Sequence, residues 1–124
     1  MHGLVIRSGP LRRILEGGKS WELRGSRTTR RGPIALIESR SGTVVGVCEL
    51  VDCVGPLSAA ELAANADKLG GALGALPYRR TFAWVLRGPR RLAEPVRYAH
   101  PPGAVIWVKL SEAVTRRVLA QVGG

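Results

Sequence analysis

Cysteine is scarce in this chain of 124 residues, and its placing excludes two architectures. Cys48 and Cys53 are the only two, and they stand five positions apart in what reads as one strand. Strand side chains alternate, so the pair is expected to face opposite sides and not to form a disulfide. No CxxC pair and no Cys/His cluster is present to hold zinc. Two reduced, structural cysteines fit a cytoplasmic protein. Histidine is equally sparse. His2 and His100 have no motif around them, and a Ser-His-Asp arrangement is not visible. Long apolar runs are missing too, since none approaches the ~20 residues of a membrane span. The first seven residues carry no basic leader before their short apolar stretch and read as a strand, not a signal peptide. Neither a metal nor any other cofactor is expected.

Acidic residues are the other shortage. Nine face 19 basic ones, giving a net charge of +10. Codon usage can favour arginine over lysine, but it does not set the balance of cations over anions. An excess of this size favours polyanionic partners, above all RNA or another single-stranded nucleic acid. The plain alternative is a solvated basic surface. The charge is gathered in two runs. Residues 24–31 hold Arg24, Arg27, Arg30 and Arg31 among glycine, serine and threonine, and Arg40 follows in the next turn. Arg79, Arg80, Arg87, Arg90, Arg91 and Arg97 form the second run, opposed nearby only by Glu94. Flexible basic loops contact phosphates readily.

The length fits one domain, 1–124, with a core that needs no staple. Strands are expected at 3–7, 20–24, 33–39, 43–54, 81–87 and 104–110. Gly46 suggests a bulge in the fourth, and Gly88-Pro89 is expected to end the fifth, leaving 90–102 mostly irregular. Helices are expected at 10–16, capped by Ser8, at 58–68, opened by the capping box Ser58-Ala59-Ala60-Glu61, and after Ser111. Residues 70–77 read as a loop. Too few helices lie between strands for βαβ crossovers, so the fold class is α+β: a small pseudo-barrel or strongly curved mixed sheet of five to six strands.

Gly17-Gly18-Lys19-Ser20-Trp21-Glu22-Leu23-Arg24 is the most informative stretch. Glycines end the first helix. Trp21 and Leu23 then alternate with Glu22 and Arg24, so the apolar pair should enter the core and the charged pair face a cleft. Lys19 sits at the turn, where a side chain is expected to bury little. Although Gly17-Gly18-Lys19-Ser20 shares the tail of a phosphate-binding loop, it leads from helix to strand, the reverse of that loop's order. The segment resembles the G-x-K-x-x-E-x-R signature of the ASCH domain, in the PUA-like superfamily, with Gly17 as the motif glycine. Residues 32–37, 46–50, 82–86 and 103–110 look like the family's later strands, so the likeness runs from about Leu4 to Leu110.

That resemblance implies a PUA-like pseudo-barrel with Lys19, Glu22 and Arg24 lining a ligand cleft. It supports an RNA-binding module in which Lys19, Arg24, Arg27, Arg30, Arg31 and Arg40 meet phosphates. Trp84 would border the cleft, and Tyr98, with Tyr78 and His100, would stack on bases. The alternative is a metal-independent hydrolase. Some ASCH-like proteins resemble ribonucleases, and others deacylate N-acetylated cytidine. Lys19, Glu22 and Arg24 would carry either chemistry as cations and a base. In the deacylase branch a threonine stands at the position of Glu22, so that mechanism does not transfer intact. A protein-interaction adaptor would need an exposed apolar patch.

Overall fold

The computed structural model describes residues 1–71 and 78–123; most of the expected loop at 70–77 lies outside the described residues. Alternating apolar residues make the first strand, β1 (His2–Ile6), with Leu4 and Ile6 pointing one way into the core. Helix α1 (Ser8–Leu15) follows, burying Leu11 and Ile14. Its N-cap is Arg7, with no side-chain cap, so Ser8 is the first helical residue and not the expected cap. Then come β2 (Trp21–Arg24), β3 (Gly32–Glu38) and β4 (Thr43–Val54).

The capping box at Ser58 and Glu61 forms as expected, with both reciprocal hydrogen bonds. It opens α2 (Ala59–Ala64). Asn65 leaves helical geometry, so the expected single helix is two, with α3 (Ala66–Leu69) closed by Gly70 at φ 76°. Strand β5 (Phe82–Arg97) is more than twice the expected length, β6 (Trp107–Lys109) is shorter than expected, and α4 (Glu112–Gln121) is capped by Ser111.

The six strands form one curled sheet, a half-barrel, in the order β2-β5-β4-β3-β1-β6. All neighbours are antiparallel except β1 and β3, which run parallel and are joined through α1 and β2. One parallel connection therefore exists where the scarcity of helices suggested none. β3 is buried on both faces: Ile34 and Leu36 point to one core cluster, Ala35 and Ile37 to another beneath α4. A third cluster joins Trp21 and Leu23 to Leu62 and Leu69.

Irregularities in the β4–β5 pairing explain the length of β5. Glu49 pairs with Arg87 and Val47 with Arg90, so β5 has one residue more than β4 across that step. The extra length holds Gly88, at φ 62°, and Pro89. A bulge accommodates a proline that cannot donate to the ladder, and pairing resumes beyond it. Pro95 lies in a wider irregularity between Arg91 and Val96. A further shift between Leu50 and Asp52 swaps the faces of β4, so Cys53 packs against the same cluster as Cys48. Both thiols are free. Gly46 sits at the expected bulge, where the β4 backbone passes closely under Leu15 and the Arg90 carbonyl.

Candidate nucleic-acid interface

The turn that presents Lys19 is built by backbone contacts on both sides. Gly17, at φ 87°, ends α1, and its N–H and that of Gly18 donate to the Ile14 and Arg13 carbonyls. Lys19 then bridges to Leu69, Ser20 N–H donates to Lys68 O at 2.9 Å, and Ser20 O accepts from Leu86 N–H at 2.8 Å. The chain enters β2 clamped between α3 and β5. The expected register holds: Trp21 and Leu23 are buried together, and Glu22 and Arg24 take the other face.

Lys19 is buried at 8% exposure and Glu22 at 7%, so the lysine is far less open than a turn position implies. Lys19 Nζ donates to the Trp21 carbonyl and lies 3.7 Å from Glu22 Oε1. The other carboxylate oxygen, Oε2, accepts from Arg24 Nη2 at 2.8 Å and Nε at 3.2 Å. Arg24 Nη2 also donates to Val5 O at 2.8 Å. Burial holds the Lys19 ammonium below its ordinary range; Glu22 opposes that shift, and the neighbouring Arg13 and Arg24 add to it. Desolvation thus outweighs the attraction of the single carboxylate.

These residues line a cleft of about 660 Å³. Arg7 and Arg13 join Lys19 and Arg24 in its wall, and Glu22 is the one carboxylate among its lining residues. Arg7 and Arg13 were not singled out by sequence reasoning. The available signal was helical spacing: Pro10 and Arg13, three apart on α1, both turn toward the cleft while Leu11 and Ile14 turn to the core. Tyr78 stands at the rim, 42% exposed.

The other expected site residues divide into two groups. Arg40 and Tyr98 line a second hollow that shares Val5, Ser39 and Val105 with the first. Trp84, Arg27, Arg30 and Arg31 stand apart from both. Trp84 is 2% exposed, so it belongs to the core behind Arg24 and not to the cleft border. Its Nε1–H donates to Ser26 O at 2.9 Å. Arg24 lies 5.6 Å over the Trp84 ring, Trp84 stacks on Trp107 at 5.7 Å, and Arg30 lies 4.7 Å over Trp107. Arg27 covers Phe82 at 4.9 Å and donates to Gly55 O, while Arg31 donates to the carbonyls of Thr28 and Arg30 and faces Asp52 at 3.9 Å. The basic loop is folded onto the barrel by its own arginines.

Among the described residues, no three of His, Cys, Asp and Glu gather closely enough to hold a metal ion, and no helix is long and apolar enough to cross a membrane. No protein-family model matches the chain, and no curated protein matches it in sequence. Solved structures do. The crystal structure of ASCH from Zymomonas mobilis matches with a TM-score of 0.71 at 14% identity, covering 96% of this chain and 93% of that one. Two single-residue variants of that protein, ZmASCH, match at a TM-score of 0.69 and 16% identity, over 96% of this chain and 94% and 96% of theirs. TM-scores near 0.7 and near-complete mutual coverage lead to one conclusion: this chain has the fold of the ASCH domain.

Proposed function

We propose that the chain binds single-stranded nucleic acid, RNA in particular, with a phosphate seated in the cleft between Arg7, Arg13 and Lys19. One observation carries this reading: four cations line the cleft against a single carboxylate, and Arg24 already holds that carboxylate. Arg24 is tied to Glu22 and Val5, which leaves the exposed Arg7 and Arg13 for the ligand, with Lys19 behind them held by Trp21 O and Glu22. Tyr78 at the rim offers a face on which a base can stack. The loop arginines Arg27, Arg30 and Arg31 add positive field from outside the groove.

Salt titration tests it. One phosphate seated among these cations contributes a slope of log affinity against log salt of about −0.7 for a single strand. Arg13→Ala should flatten that slope and weaken all sequences alike. Fluorescence anisotropy with a labelled single-stranded RNA reads both. Binding that ignores salt, or that survives Lys19→Met undiminished, overturns the proposal.

The buried Lys19–Glu22 pair favours one second reading, RNA cleavage. Glu22 would accept the 2′-hydroxyl proton as that oxygen bonds to phosphorus. Lys19 would give a proton to the departing 5′-oxygen, leaving a 2′,3′-cyclic phosphate. Cyclic-phosphate ends that appear with the wild type and fall about 10²–10³-fold in Lys19→Met would support it. An intact substrate leaves binding as the sole function.

A further inference from the structure

The second hollow, about 530 Å³, opens beside the first across Val5, Ser39 and Val105. Its far wall is a prearranged aromatic pair. His100 Nε2 lies 2.7 Å from Ala104 O, and a carbonyl only accepts, so Nε2 carries the hydrogen and donates. In the neutral ring Nδ1 is therefore the acceptor, and the Tyr98 hydroxyl donates to it at 2.7 Å. Every polar atom of the two rings is thereby engaged within the chain. What they present to a ligand is ring surface, locked in place, with Tyr98 half-buried against the core beneath α4.

Arg40 forms the near wall, and its backbone is unusual. It is the one non-glycine residue with positive φ among the described residues, at 67°. A side chain other than glycine is strained there. The turn is otherwise well made, with Ser41 hydroxyl and amide both bonded to Glu38 O. Glycine would suit the position better, yet the chain holds an exposed arginine there, and none of the ion pairs among the described residues includes it. A strained, unpaired cation beside a fixed aromatic platform is the combination that a phosphate and its adjoining base require.

We infer that this second hollow is the next subsite of the same groove: it takes a neighbouring nucleotide of a single strand whose phosphate lies at Lys19, with Arg40 on the connecting phosphate and the Tyr98–His100 pair against the base. The inference rests on the proposed nucleic-acid reading and extends it: the ligand is an oligonucleotide, and a mononucleotide fills only the first half of the groove.

Length dependence is the test. Uridine and adenosine 5′-monophosphates and the matching oligonucleotides of two to four units are titrated calorimetrically against wild type, Arg40→Gly and His100→Ala. Wild type should gain about tenfold or more in affinity from monomer to trimer, the low end for one stacked base and one further phosphate. Arg40→Gly should lose most of that gain, its trimer-to-monomer affinity ratio falling toward one. Its melting temperature should not fall, because glycine relieves the turn, so lost affinity cannot be laid to unfolding. His100→Ala should lose part of the same gain. A gain that survives in both variants, or no gain in wild type although the monomer binds, overturns the second subsite and leaves the first cleft standing. No binding of any length overturns the nucleic-acid reading itself, and the subsite falls with it.

Discussion

Arg24 and Lys19 belong to one charged motif, yet their surroundings give them opposite duties. Arg24 bonds Glu22 and the Val5 carbonyl at once, bridging the edge strand β2 to β1 across the open side of the curled sheet. Arg24→Ala would leave a buried carboxylate short of its best partner and a carbonyl without a donor. The expected cost is about 2–3 kcal/mol in urea denaturation, below that of a fully buried pair because the side chain keeps some exposure. Lys19→Met should cost less, because Glu22 keeps its closer partner Arg24 and a poorly solvated ammonium is removed, while nucleic-acid binding is lost. The pH dependence separates them further. Unfolded Lys19 keeps its proton up to the ordinary value of 10.5, whereas the folded residue releases it at lower pH. In the window between, the unfolded chain binds more protons, so Lys19's contribution to stability rises with pH. Comparing urea midpoints of wild type and Lys19→Met through that window isolates the rise, which the variant should lack. A parallel pair of curves would mean that Lys19 is not desolvated.

At the scale of elements, close approach decides what the strands tolerate. A Cβ on Gly46 would meet Leu15 Cδ2 at 2.7 Å and the Arg90 carbonyl at 2.8 Å, and the carbonyl is backbone that cannot swing aside. Gly46→Ala should therefore cost about 1–3 kcal/mol, as overpacking does. Gly9 in α1 has open space beyond its chain neighbours, but Pro10 follows it, and a Cβ before proline disfavours helical backbone, so Gly9→Ala should not stabilise. Paired denaturation curves check both signs. Elements whose signal is local were legible in the sequence: the Ser58 capping box, the Gly46 bulge, and the alternation that buries Trp21 and Leu23. The course of β5 was not legible. Gly88-Pro89 is a genuine local stop signal, overridden because β4 continues alongside and a bulge absorbs the proline. The two cysteines pack against one cluster, against strict alternation, for the same reason: a register shift that a period of two cannot foresee. In the cleft, the Lys19, Glu22 and Arg24 motif announced itself by spacing. Arg7 and Arg13 did not, because only the tertiary fold turns that side of α1 toward β2.

The whole molecule is a half-barrel whose two sheet edges, β2 and β6, are joined indirectly by side chains. The layered stack of Arg24, Trp84, Trp107 and Arg30 fills that seam. Its integrity can be followed by thiol labelling. Burial pushes the Cys48 thiol up to about 12, so it has almost no thiolate at neutral pH, whereas Cys53 is only half-buried. Iodoacetamide should modify Cys53 first and reach Cys48 only as fast as the molecule opens; peptide mass spectrometry resolves the two. Equal rates would show that the core around Cys48 is open to solvent. The strand order carries one more consequence, in time. β2 has a single sheet neighbour, β5, and Glu22 pairs with Trp84 about sixty residues further along the chain. A loop of that length must close before the motif strand gains any ladder, and long-range pairings are slow to form. During synthesis the Lys19 segment leaves the ribosome early and waits for β5 to follow. The charged cleft is therefore among the last features to assemble, and a nascent chain displays these arginines well before the cleft that gathers them exists.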